Sequence, residues 1–361
     1  MMNMQVKTQS PPGADGDIPV KIDGAPGKFV FTITTKCNLR CPKCLYLIND
    51  PHYFDNKGFM PFALYKDIID SAGDAIRTIT LTGGEATLHP EFEKFIDFAQ
   101  GKNIDIGVAT NGTLIKQNLS ALRKISGHFR ISFDGYDFES YAEEREGNEK
   151  QWQAIIEGVE ALRAEGISFF CSFVLGRHNL SDIFKMLDFV AETGAAGVQF
   201  HSLNPIGKLD SLVIKRSDPL VAETIDKVME RDDYPFDIRL PVVFDTDSEN
   251  FQKKTCSYPW AGAYVDDLGD VAFCCHLPHD SQIGNFYKGY DYNSEKIVEF
   301  RKSIVDGKLP SGCVYCHRRF IGEEPCFDAA EGKWEFAPIE DSRNNREIPV
   351  KKLGTEELET V

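Results

Sequence analysis

Two rhythms of apolar and polar positions alternate between Phe29 and His201. Short apolar runs at Phe29–Ile33, Arg77–Leu81, Ile104–Ala109, Phe129–Phe133, Ser168–Val174 and Gly197–His201 predict β-strands. Between them lie Pro61–Ala72, Glu91–Gln100, Leu114–Ile125, Gln151–Glu165 and Ser181–Glu192. Each sets apolar residues at i, i+3 and i+4 against a polar face, as Phe92, Phe95, Ile96, Phe98 and Ala99 do, and predicts a helix. Strands alternating with helices argue for an α/β fold with a parallel sheet. Right-handed crossovers would curl such a sheet into a barrel or partial barrel. Periodicity alone leaves a doubly wound sheet open as the alternative. In either architecture chemistry belongs at the carboxyl ends of the strands.

Beyond His201 the rhythm stops. Asn204–Gly207 reads as a turn, Pro219–Arg231 as a helix and Phe236–Phe244 as a strand. From Cys256 to Phe327 the chain reads as short strands and loop, with six of its ten cysteines. The expected division is a flexible segment over 1–27, a barrel over 28–207, a connecting helix and strand over 208–255, a cysteine-rich domain over 256–327 and a charged tail over 328–361.

Composition narrows the function classes. At 361 residues and 42% hydrophobic the chain can bury a full core. A formal charge of −16 argues against a nucleic-acid backbone as partner. No apolar run approaches a membrane span, and Met1–Gly27 lacks the apolar core of a secretory signal. Ten cysteines without that signal read better as metal ligands than as disulfides, and the expected compartment is a reducing cytoplasm.

The cysteines then carry the chemistry. Cys37, Cys41 and Cys44 follow the first strand in a C-x3-C-x2-C spacing. Thiolates this close on one loop can hold a polynuclear iron–sulfur cluster, but three are one short of closing a [4Fe–4S] cluster. The competing reading is a zinc knuckle, which closes four ligands locally; the next histidine, His52, fits no common knuckle spacing. After the second strand comes Leu81-Thr82-Gly83-Gly84-Glu85, where a glycine pair lets backbone approach a ligand closely. The fourth strand ends Ile131-Ser132-Phe133-Asp134-Gly135, with Arg145 eleven residues beyond Asp134. An Arg there can grip a carboxylate in bidentate fashion; a surface ion pair within Glu143–Glu146 is the plainer alternative.

Taken together these motifs resemble the radical S-adenosylmethionine (SAM) superfamily. The resemblance runs over about residues 29–327. It implies an open (β/α)6 partial barrel and a cluster on Cys37, Cys41 and Cys44 whose open iron is chelated by SAM. It further implies that Gly83, Gly84 and Glu85 hold the methionine amino group and that Ser132 and Asp134 serve the ribose or substrate side. Arg145 would then take the SAM carboxylate, and Tyr46 would meet the adenine edge through its backbone. One departure stands out. The family usually carries an apolar or aromatic residue before the third cysteine, where this chain has Lys43.

A second cysteine group lies downstream. Asp266-Asp267-Leu268-Gly269-Asp270 reads as a hairpin turn that would bring Cys256 near Cys274, and Cys313-x2-Cys316 could complete a four-thiolate site. Those ligands suit zinc or an iron–sulfur cluster equally. The spacing resembles the twitch form of the SPASM domain, which implies one auxiliary [4Fe–4S] cluster, leaving Cys275 and Cys326 unassigned. Cys171, inside the fifth strand, reads as core.

The resemblance implies the reaction. An electron from the first cluster, delivered by a flavodoxin- or ferredoxin-like donor, cleaves SAM to methionine and a 5′-deoxyadenosyl radical, which takes a substrate hydrogen atom. With the auxiliary cluster as electron acceptor the expected outcome is oxidation of a small molecule such as a sugar or aminocyclitol. His201 and His178, near the ends of the sixth and fifth strands, are the candidate bases. The alternative is a peptide or protein maturase that makes a thioether, a carbon–carbon crosslink or an epimerised residue. Against it, the 28 residues ahead of the first apolar run are too few for a leader-binding winged helix. A non-enzymatic zinc scaffold is the third reading, and it would be colourless where iron–sulfur protein is brown.

Overall fold

The computed structural model describes residues 20–49, 53, 58–203, 207–215, 218–231, 233–241, 258–274, 281–306, 325–328 and 333–336. Seven strands run parallel in chain order: β1 (Lys28–Thr34), β2 (Thr78–Gly83), β3 (Asp105–Thr110), β4 (Phe129–Ser132), β5 (Phe170–Leu175), β6 (Gly197–Ser202) and β7 (Asp237–Arg239). On the other side of β1 lies β8 (Gly262–Val265), also parallel to it, with Phe29 opposite Ala263 and Phe31 opposite Val265. The antiparallel strands β9 (Asp270–Ala272), β10 (Gln282–Asn285) and β11 (Gly289–Tyr290) extend that side to an eleven-stranded sheet. A separate hairpin pairs β12 (Pro325–Asp328) with β13 (Lys333–Phe336).

Strand β1 sits in the middle of this sheet, and its sequence explains why. Phe29, Phe31 and Ile33 bury one face while Thr32 and Thr34 are buried on the other. Such two-sided burial belongs to a central parallel strand covered by helices. The helices supply the cover: α1 (Leu45–Asn49), α2 (Phe62–Ala72), α3 (Phe92–Gly101), α4 (Leu119–Leu122), α5 (Phe138–Arg145), α6 (Glu149–Ala164) and α7 (Ile183–Thr193) fall between β1 and β6. In α3 the buried residues are Phe92, Phe95, Ile96 and Ala99, one face at helical spacing. Tyr65 of α2 meets Phe31 edge-on with ring centroids 4.9 Å apart and also contacts Phe95 at 4.6 Å. Each such buried ring contributes about 1.5–3 kcal/mol to holding helix on sheet.

The carboxyl ends of β1 to β6 all reach one cavity, from Cys37 after β1 to His201 on β6. A flat sheet would spread six strand ends over roughly 24 Å at about 4.8 Å per strand. Their convergence requires a curved sheet, the geometry of a partial barrel.

Several expectations change in detail. The single helix read over Leu114–Ile125 is a 3-10 turn (Lys116–Asn118) followed by the short α4. Asn118 interrupts it, since its side-chain amide donates to Leu114 O at 3.0 Å and competes with the helical ladder. Helix α5 has no apolar stripe to announce it; a capping box of Asp137 and Ser140 starts it, and only Tyr141 and Glu144 are buried. Between β6 and β7 lies α8 (Pro219–Glu230), and past β7 come α9 (Tyr258–Ala261) and α10 (Glu295–Val305), so the cysteine-rich stretch contains an eleven-residue helix. The hairpin at Asp266–Asp270 is present: β8 and β9 pair antiparallel, and Gly269 at φ +82° makes the turn. The tail boundary at residue 328 falls inside the β12–β13 hairpin, where Lys333, Trp334, Glu335 and Phe336 alternate as a strand does.

Candidate active site

The cavity, about 380 Å³ in volume, gathers most of the residues singled out in the sequence. Cys37, Cys41 and Cys44 line it, with Tyr46 beside them. Gly83 and Gly84 enter from β2, Ser132 and Asp134 from the end of β4, Arg145 from α5 and His201 from β6. Among the described cysteines, Cys171 is fully buried on β5, as a core residue should be, and Cys274 follows β9. Cys256, Cys275, Cys313 and Cys316 lie outside the described residues, and of Cys326 only the backbone in β12 is described.

The cysteine loop is fixed by its neighbours. Asn38 Nδ2 donates to Thr113 Oγ1 and its Oδ1 accepts from Asn111 Nδ2, both at 2.8 Å. Gln151 Nε2 on α6 donates to Asn38 O at 3.0 Å. The two glycines of the β2 exit are required for the same reason. Gly84 N donates to Thr34 O at 2.8 Å and Glu85 N to Lys36 O at 2.8 Å, which draws this turn against the loop. A Cβ on Gly84 would lie 2.3 Å from Lys36 O and 3.0 Å from Cys37 Cβ; one on Gly83 would lie 2.2 Å from Thr34 O. The close approach is thus to the cysteine loop itself. Gly84→Ala is expected to displace that loop, lowering thermal stability and cutting iron uptake several-fold on reconstitution, where an exposed-site control such as Gly101→Ala does neither.

Glu85 behaves differently from the expectation. It is 2% exposed and its carboxylate is spent inside the protein, accepting from Thr87 N, Thr87 Oγ1, Thr110 Oγ1 and Asn111 N at 2.6–3.1 Å. It ties β2 to the end of β3, and it is not among the cavity-lining residues. Thr110, Asn111 and Thr113 were not singled out in the sequence, although Thr110-Asn111-Gly112-Thr113 is a polar, glycine-containing exit from a strand and so carries the signal.

His178 is displaced from its expected role. It does not line the cavity; its Nε2 donates to Glu144 Oε1 at 2.9 Å in the turn after β5. Glu144 also accepts from Lys43 Nζ at 2.5 Å. Burial opposes the charge of Glu144, but the bonds from His178 and Lys43 outweigh it and hold its carboxyl below the usual range.

Arg145 Nη1 donates to Asp134 Oδ2 at 2.6 Å, and Asp134 Oδ1 accepts from Val174 N at 2.9 Å. Asp134 itself sits at φ +57°, a left-handed conformation held by these contacts. Burial works against the guanidinium, yet Cys41 and Asp134 together raise its pKa. Burial pushes the Cys37 thiol up to about 11, and it raises that of Cys41 as well.

Two observations bear on whether an iron–sulfur cluster and SAM fit here. Among the described residues no three His, Cys, Asp or Glu side chains converge on a single metal ion. Three soft thiols around one cavity are a donor set for a larger polynuclear group. Arg145 Nε is buried with no hydrogen-bond partner among the described residues, a donor matched to an acceptor such as a ligand carboxylate. The residues fit both groups.

Residues 31–190 match the model of the radical SAM superfamily. That stretch, 160 of the 361 residues, is similar to the radical SAM superfamily. Homologues in this superfamily are enzymes. The chain is 25% identical to the antilisterial bacteriocin subtilosin biosynthesis protein AlbA of Bacillus subtilis (strain 168), over 72% of this chain and 58% of that protein. It is 25% identical to Fe-coproporphyrin III synthase of Methanosarcina barkeri, over 56% of this chain and 50% of that protein. The match thus spans little more than half the length of these curated relatives. Streptococcus suis SuiB, in a crystal structure bound to precursor peptide SuiA, superposes with a TM-score of 0.59 at 14% identity, over 81% of this chain and 70% of that one. The structure of anSMEcpe with bound AdoMet gives 0.59 at 19%, over 81% and 85%. These likenesses establish the fold, an α/β domain around a central parallel sheet. Among the described residues no helix is long and apolar enough to cross a membrane.

Proposed function

We propose that the chain is a radical SAM enzyme that acts on a peptide or protein side chain. The carrying observation is the convergence of Cys37, Cys41, Cys44, Gly83, Gly84 and Arg145 on one cavity at the carboxyl ends of the strands. Cys37, Cys41 and Cys44 would hold a [4Fe–4S] cluster. When bound, the cluster supplies the electron that cleaves SAM to methionine and a 5′-deoxyadenosyl radical. The protein's own part is to bind and orient. Arg145 presents guanidinium N–H groups to the SAM carboxylate, with Asp134 fixing its direction. Ser132 offers a hydroxyl to the ribose, and Gly83 and Gly84 line the cavity where the amino group would lie. The curved sheet keeps water away from a radical that must meet only its target. His201, which lines the cavity, would take a proton from the substrate.

The peptide substrate class draws on the relatives: AlbA is named for bacteriocin biosynthesis and SuiB is bound to a precursor peptide. Oxidation of a small molecule is the second reading, favoured by the Fe-coproporphyrin III synthase relative; none of these relatives points to a sugar or aminocyclitol. An auxiliary [4Fe–4S] cluster on Cys256, Cys274, Cys313 and Cys316 belongs to the same proposal, as acceptor of the substrate's second electron, with a flavodoxin- or ferredoxin-like protein supplying the first.

The test is anaerobic reconstitution with iron and sulfide, then SAM and dithionite. The protein should turn brown and release 5′-deoxyadenosine. Iron-loaded protein that binds SAM and never cleaves it would end the proposal. With substrate in hand, Cys313→Ala should keep SAM cleavage and hydrogen abstraction but stop formation of an oxidised product. Full product from a soluble Cys313→Ala protein would mean a redox-neutral reaction and a structural role for that cysteine.

A further inference from the structure

Lys43 occupies the position directly before Cys44, where the superfamily resemblance leads one to expect an apolar side chain. The structure shows what holds it. Its ammonium meets Glu144 at 2.5 Å, with side-chain exposures of only 17% and 6%. The second oxygen of Glu144 accepts from His178, 20% exposed, at 2.9 Å. His178 in turn belongs to a rigid turn: Gly176 N donates to Asn179 Oδ1, and Asn179 Nδ2 to Val174 O, both at 2.9 Å. A Cβ on Gly176 would lie 2.7 Å from the His178 ring, so the ring lies tight against that backbone. A continuous path therefore runs from the end of β5 through His178 and Glu144 to the residue beside the third cysteine. Glu144 and Arg145 are adjacent on α5, and each binds a different partner across the same cavity wall.

A carboxylate this buried is tolerated because two donors satisfy it; removing either leaves charge without a partner. The ammonium of Lys43, which lines the same cavity as Cys44, has a second consequence. Fixed charge next to a thiolate ligand sets the potential of the iron it holds. We propose that Glu144 is a positioning residue: it clamps Lys43 to α5, fixing the Cys44 end of the loop, and cancels the ammonium charge at the edge of the cluster. The inference rests on the radical SAM reading given above.

The test uses the full-length chain, anaerobically reconstituted, as Glu144→Gln, Lys43→Met and the Glu144→Gln/Lys43→Met double variant. Glu144→Gln leaves an uncancelled positive charge in the cavity that Cys44 lines, so the cluster potential measured by redox titration should move positive. Lys43→Met leaves the negative charge of Glu144, so the potential should move negative. The double variant should return close to wild type. Opposite signs distinguish charge cancellation from simple loosening, which would move both variants the same way. Amide hydrogen exchange over residues 38–49 should speed up about tenfold in each single variant and stay fast in the double, which has lost the clamp although its charges balance. Shifts of the same sign, or exchange unchanged in both single variants, would overturn the proposal. Wild-type protein that takes up no cluster would defeat the superfamily reading instead, and the exchange pattern would still decide whether Glu144 clamps the loop.

Discussion

Replacing Cys37, Cys41 and Cys44 together with Ala is expected to abolish SAM cleavage while leaving a folded protein that retains about four of roughly eight irons. The separation follows from where the thiols sit. All three lie on one loop after β1, held from outside by Asn38 with Asn111 and Thr113 and by Gln151. None of those bonds uses a cysteine side chain, so the loop keeps its anchors when the sulfurs are gone. The β8–β9 hairpin that leads to Cys274 is hydrogen-bonded independently, through Tyr264 opposite Ala272 and Val265 opposite Val271. Iron assay and the spectrum of the reduced protein check the outcome. Loss of all iron from the triple variant would mean that the chain has one cluster site, not two. Retention of all of it would mean that these cysteines are not the ligands.

The sequence made the barrel legible because its strands are buried on both faces and its helices on one. Phe29–Ile33 reads as a continuous apolar run since β1 lies between β2 and β8 in the middle of the sheet. Phe92, Phe95, Ile96 and Ala99 mark α3 because that helix has a single core-facing stripe. The same rule hides α5. It buries Tyr141 and Glu144 alone, and Glu144 is buried as an ion-pair partner, which no hydropathy pattern reports. The pairing of β8 with β1 was equally out of reach, because it joins residues more than 200 positions apart and neither run encodes its neighbour.

In the site, the cysteines and glycines were legible because their chemistry and spacing are local. The partners that decide what each group does were not. Glu85 reads as a ligand-facing carboxylate until Thr87, Thr110 and Asn111 are seen to surround it. Lys43 reads only as a departure from pattern until Glu144, 101 residues away, is seen to hold it. Arg145 reads in the sequence as a candidate for a carboxylate, and the structure adds its contact with Asp134.

Arg145→Ala is accordingly the single substitution expected to do most damage to SAM binding. The side chains of Arg145 and Asp134 are 12% and 13% exposed, and the pair is 2.6 Å apart. Removing the guanidinium leaves Asp134 a buried carboxylate with only Val174 N to answer it, a loss of about 3–5 kcal/mol when one partner of a buried pair is deleted. Stability and binding must therefore be separated. The Arg145→Met/Asp134→Asn double variant removes both charges and should recover most of the urea midpoint lost by Arg145→Ala. It should not recover SAM. A charge-assisted hydrogen bond is worth about 1.5–3 kcal/mol, so loss of the grip on the SAM carboxylate should weaken affinity roughly 10- to 100-fold. Arg145→Lys keeps the charge but not the planar fork, and should fall between the two. Equilibrium dialysis against the cluster-loaded protein measures all three. SAM bound with wild-type affinity by the folded double variant would show that Arg145 serves only to fold the end of β4, and the carboxylate would have to be sought elsewhere on the cavity wall.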